Sequence, residues 1–103
     1  MISIEDVKEK MFAYAADKPI KKVYLFGSYA RNEMDHESDL DILLELEPEQ
    51  KVGLLFSRMI LDIKEMFPIE VDVISSGALY DNHNETLDFA NRIEKDKILI
   101  YEK

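Results

Sequence analysis

Apolar positions recur along the chain with two different periods, and each change of period marks an element. Ile4, Val7, Met11, Tyr14 and Ala15 lie three or four apart, which predicts a helix over about 4–17. Ser3, with Asp6 three residues on, resembles a capping box at its start, and Asp17-Lys18-Pro19 ends it. The β-rich run from Ile20 to Phe26 is closed by Gly27, and Ser28 to Arg31 should open a short helix directly after it. A polar loop from Asn32 to Ser38 leads to a second strand, Asp39 to Leu46. Val52, Leu55, Phe56, Met59, Ile60, Ile63 and Phe67 form a broad apolar stripe for a long helix over about 52–66, stopped near Pro68. Ile69 to Ile74 alternates cleanly as a third strand. Ser75-Ser76-Gly77 reads as a turn and Asp81 to Asn84 as a second polar break, with room for one helical turn between them. Leu87, Ala90 and Ile93 support a last helix, and Ile98 to Tyr101 a closing strand. The order α, β, short α, β, α, β, α, β implies an α+β (mixed α/β) class. Its sheet is small and mixed, of about four strands, with helices packed mainly on one face.

With 103 residues the chain is expected to be a single domain over 1–103, and a 47% hydrophobic content places it among globular proteins. It has no cysteine, which excludes disulfides and cysteine-ligated zinc. The N-terminus lacks a signal-peptide layout, and no apolar run approaches the roughly twenty residues a bilayer requires. A soluble, cytoplasmic protein is the expectation. Twenty-two Asp plus Glu against thirteen Lys plus Arg give a net charge of −9. That sign argues against direct binding of a nucleic acid through its phosphates. It suits a basic protein partner, or a nucleotide whose approach needs metal ions, although acidity by itself also serves only to keep a small domain soluble.

Candidate chemistry concentrates between Gly27 and Leu46. On a strand, residues i and i+2 share a face, so Asp39 and Asp41 should point together while Leu40 and Ile42 turn into the core. Two adjacent carboxylates repel unless a cation separates them, and magnesium favours one or two carboxylates completed by water and phosphate. Gly27 and Ser28 sit where a strand gives way to a helix N-terminus, whose free N–H groups favour an anion. Asp72 lies on another alternating strand and can face the same site if the two strands are neighbours. Three carboxylates can hold two metals. The competing structural readings are plain: edge-strand charges for the aspartates, a helix cap for Ser28, and ion pairing with Glu33 or Asp35 for Arg31. His36 and His83 read as exposed loop residues, and Tyr29 as packed on the sheet in preference to stacked on a base.

The run from Gly27 to Leu46, followed by Ile69 to Ser75, resembles the minimal nucleotidyltransferase family of the polymerase-β-like superfamily. That family's pattern is Gly-Ser, ten residues, Asp-x-Asp and a third carboxylate. The resemblance spans nearly the whole chain and implies the nucleotidyltransferase fold. It assigns Asp39, Asp41 and Asp72 to metal and catalysis, with Asp72 activating the acceptor hydroxyl, and Gly27 and Ser28 to the triphosphate. Arg31 takes the family's basic position beside the nucleotide. One departure is Asn32, where a glycine commonly follows that arginine; it is expected to alter loop conformation more than chemistry. The implied function is magnesium-dependent transfer of AMP from ATP, with two Mg2+ ions, to a tyrosine of a HEPN-domain RNase toxin. The chain would then be the toxin's antitoxin, in a hetero-oligomeric complex. Alternatives are a non-catalytic module that masks a toxin, or transfer to a small molecule or an RNA 3′ end.

Overall fold

The computed structural model describes residues 2–35, 37–47, 53–76 and 87–103. The expectations for His36, His83, Val52, the turn at Gly77 and the polar break at 81–84 lie outside the described residues.

Helix α1 (Ile4–Ala15) starts where the sequence signals it, with the Ser3 hydroxyl accepting the Asp6 N–H at 3.1 Å. Glu5 and Asp6 in its first turn oppose the positive end of the helix dipole, and it buries Val7, Met11 and Ala15. Strand β1 (Ile20–Phe26) follows and runs without a loop into α2 (Gly27–Ala30), a single turn of helix. The remaining elements are β2 (Leu40–Leu46), α3 (Gly53–Met66), β3 (Val71–Ser75), α4 (Leu87–Asp96) and β4 (Ile98–Glu102). The four strands form one sheet in the order β3-β2-β1-β4. β1 is antiparallel to both β2 and β4, whereas β2 and β3 are parallel and joined by α3. A parallel pair needs such a crossover, because a tight hairpin cannot return the chain to the same end.

Side-chain alternation on β2 divides the interior in two. Leu40, Ile42 and Leu44 join Val7, Met11 and Ala15 of α1 and Met59 and Ile63 of α3 in the main core. Leu43 points the other way and meets Phe26 and Ile93 of α4 in a second, smaller cluster. Helices α1 and α3 thus share one face, as the sequence leads one to expect, and α4 takes the opposite one. Tyr14 ties α1 to α3 by donating its hydroxyl to Asp62 Oδ2 at 2.8 Å. Tyr29 is 1% exposed within the main core, so it packs, and its buried hydroxyl has no hydrogen-bond partner among the described residues.

Two strand starts differ from the expectation. β2 begins at Leu40 and not at Asp39, and β3 begins at Val71, two residues later than its alternation suggests. The ladder decides both: the Leu40 N–H donates to the Glu70 carbonyl at 2.9 Å, and paired residues start there. Among the described residues no helix is long and apolar enough to cross a membrane.

Candidate active site

The turn from β1 into α2 has a backbone that only particular residues accept. Gly27 has φ +71°, in the left-handed region, and a Cβ placed on it would collide with Asp41 Oδ2. Glycine is therefore required here on two independent grounds, and the Asp41 carboxyl lies directly against the turn. Beyond Gly27 the chain closes on itself: the Arg31 N–H donates to the Gly27 carbonyl at 3.1 Å and the Glu33 N–H to the Ser28 carbonyl at 2.9 Å. Asn32 has φ +58°. The glycine expected at this position from the family pattern and the asparagine found here meet the same backbone demand, since asparagine is among the few other residues that tolerate it.

Asp41 and Asp72 are register partners across the parallel β2–β3 pair, so both carboxylates leave the sheet on the α4 side. Asp41 is half-buried, and its pKa is pushed up to about 6. Burial contributes most, followed by the charges of Asp72 and Asp39 and a hydrogen bond with Asp72, against a smaller opposing pull from Arg31. Both residues border a cavity of about 590 Å³, within the range of small-molecule sites. Gly27 and Arg31 line it too, with Phe26, Ile74 and Ile93 as apolar wall.

The other residues singled out by the sequence are placed differently. Asp39 is exposed, one position before β2, and borders a neighbouring depression with Ser38 and Glu70, though its charge still reaches Asp41. Ser28 belongs to the same turn as Gly27 but does not line the cavity that Asp41 and Asp72 border. Arg31 lines that cavity and is also ion-paired: its Nε lies 3.2 Å from Glu33 Oε2 and its Nη1 2.8 Å from Asp96 Oδ2. The partner from α4 is Asp96, where the sequence had suggested Asp35. The described residues contain no group of three or more His, Asp or Glu side chains close enough together to hold a metal ion by themselves. The Asp41–Asp72 pair still fits one, because two hard oxygen donors with mutually unfavourable charge are what a divalent cation relieves.

Sequence reasoning missed three cavity residues, Lys64, Arg92 and Asp96. Arg92 and Asp96 are four apart and flank Ile93, so a helical wheel puts them on one side of α4. No local pattern distinguishes Lys64.

A glycine turn with its backbone against one of two paired carboxylates, on a small mixed sheet, defines a nucleotide-handling class of α+β enzyme. Residues 6–100 match the family described as nucleotidyltransferase domain, and the chain belongs to that family; it is a nucleotidyltransferase. A Methanocaldococcus jannaschii protein named "putative protein adenylyltransferase" is 34% identical over 79 residues, 77% of this chain and 84% of its own. A structure solved as "putative minimal nucleotidyltransferase" superposes with a TM-score of 0.70 at 24% identity, covering 94% of this chain and 95% of the other. A crystal structure of a toxin–antitoxin with AMP-PNP gives a TM-score of 0.67 at 14% identity, over 97% and 75% of the two chains. At those identities the two structures show the shared fold. The resemblance drawn from the Gly27 to Leu46 run is borne out at the level of fold and family.

Proposed function

We propose that this nucleotidyltransferase moves AMP from ATP to a tyrosine hydroxyl of a HEPN-domain toxin and thereby acts as its antitoxin. The observation that carries the transfer chemistry is the placement of Asp41 beside Asp72 and against the Gly27 backbone. The name of the archaeal relative supports AMP as the group and a protein as the acceptor. The toxin–antitoxin neighbour supports the kind of partner.

In this reading Asp41 and Asp72, with Asp39 at the rim, would hold magnesium, which would supply charge neutralisation for the triphosphate and the leaving pyrophosphate. Gly27 and Ser28 present the turn to the phosphates, and Arg31, steadied by Asp96, faces the same space. The acceptor oxygen bonds to the α-phosphorus as the bond from that phosphorus to the bridging oxygen breaks, and pyrophosphate leaves. Asp72 is exposed and carries the acceptor's proton away. Its neighbour Asp41, with the raised pKa, stays fixed under the turn. The family match from residue 6 to residue 100 supports treating 1–103 as one domain.

The test is incubation of the chain with ATP, magnesium and a HEPN-domain partner, followed by intact-mass measurement of the partner. A gain of one AMP unit is expected, abolished in the Asp39→Asn plus Asp41→Asn variant. Labelled AMP still transferred by that variant would show that the carboxylates are not catalytic. Toxin neutralisation that persists without transfer would indicate masking by contact.

A further inference from the structure

The cavity's charges are unevenly committed. Three cations line it, Arg31, Lys64 and Arg92, together with three carboxylates, Asp41, Asp72 and Asp96. Arg31 is spent on Asp96 and Glu33, at 2.8 and 3.2 Å. Asp96 is only 24% exposed, so this pair is shielded from water on one side and holds α2 to α4. Lys64 and Arg92 are both exposed and enter no hydrogen bond or ion pair with the described residues. They come from different walls, Lys64 from the last turn of α3 and Arg92 from α4. Lys64 also borders the neighbouring depression that contains Asp39, so it stands where the two recesses meet.

What remains after the Arg31–Asp96 pair is a bipolar cavity, bordered by two carboxylates, Asp41 and Asp72, and by two cations that have no partner among the described residues, Lys64 and Arg92. A bare anion is repelled by Asp41 and Asp72, and a divalent cation held by those carboxylates alone leaves Lys64 and Arg92 without a counter-charge. A polyphosphate that carries its own cation satisfies both ends. In a chain of net charge −9, two cations from separate helices border the same cavity as Asp41 and Asp72.

We propose that Lys64 and Arg92 are polyphosphate-binding residues, holding the phosphate chain of the nucleotide from two separate helices, while Arg31 acts as a positioning residue that ties α2 to α4 beside the cavity. The proposal rests on the nucleotide reading given above and deepens it. Lysine suits a phosphate oxygen as a point charge, and arginine adds a planar fork able to take two oxygens at once.

The test uses calorimetric titration of the full chain with magnesium–ATP and, separately, with AMP. Lys64→Gln and Arg92→Gln should each weaken ATP binding about 10-fold, as expected for loss of a charge-assisted hydrogen bond. AMP binding should change less than about 2-fold, because AMP lacks the phosphates these side chains reach. Lys64→Arg and Arg92→Lys should recover most of the ATP affinity. Lys10→Gln, an identical change of net charge on the exposed face of α1, should leave it within about 2-fold of wild type. The proposal is overturned if the Lys64→Gln plus Arg92→Gln double variant binds ATP like wild type. It is equally overturned if ATP and AMP weaken together, which would mark a role in folding or base recognition. A wild-type chain that binds neither ligand overturns the nucleotide reading and this proposal with it, whereas normal wild-type binding with unaffected variants removes this proposal alone.

Discussion

Asp41 is held where its charge is least welcome, under the Gly27 turn and beside Asp72. Its folded pKa, about 6, lies above the ordinary 3.8 of the unfolded chain. Between those values the folded protein keeps a proton that the unfolded chain has released, so stability falls as pH rises through the window. Above pH 6 the loss is constant. Discounted for a side chain that is half open to solvent, it is about 1–2 kcal/mol. Metal-free Asp41→Asn should therefore melt higher than wild type at pH 7, with the difference vanishing near pH 4. Thermal unfolding in chelator at the two pH values checks this, and an unchanged melting temperature at pH 7 would contradict it. The facing of Asp41 toward its site was legible in the sequence, since alternation with Leu40 and Ile42 gives it directly. The commitment of Arg31 to Asp96 was not, because the partner lies on a helix whose side of the sheet no local pattern sets.

Helix α3 shows what periodicity conveys at the level of an element and where it stops. The stripe read from the sequence includes Leu55, Met59 and Ile63 on equal terms, yet Met59 and Ile63 are fully buried while Leu55 is 41% exposed. Burial depends on which part of a wide apolar arc meets the sheet, and that is decided by packing against α1 and β2. Met59→Ala should cost about 2–5 kcal/mol, whereas Leu61→Ala, at a position 55% exposed, should cost less than about 0.5 kcal/mol. Urea unfolding of the two variants separates the cases. The start of β3 was misjudged for a related reason: Ile69 and Glu70 continue the alternation, but the hydrogen-bonded ladder begins beyond them. Alternation tells which residues share a face and leaves open where pairing starts.

Across the whole molecule, an excess of nine negative charges works against compactness, and the ion pairs on its surface are mostly exposed and individually weak. Raising sodium chloride from low concentration to about 0.15 M shortens the screening length to roughly 8 Å and should raise the melting temperature. A melting temperature that falls with salt would mean that the ion pairs outweigh the repulsion. Element order and sheet class were readable from the chain because each strand and helix carries its own period, and the family because the Gly27-Ser28 and Asp39-x-Asp41 motif lies within one short run. The cavity was only half readable, since its cationic walls meet through the crossover between β2 and β3 and the return of α4. That distribution has a consequence for the chain as it is synthesised. Gly27 and Asp41 are made early and Asp72 later, but Asp96, the anchor of Arg31, is made after all of them. A nascent chain released from the ribosome before α4 is translated carries Asp41 and Asp72 but lacks both the Asp96 partner of Arg31 and the strand β4 that pairs with β1.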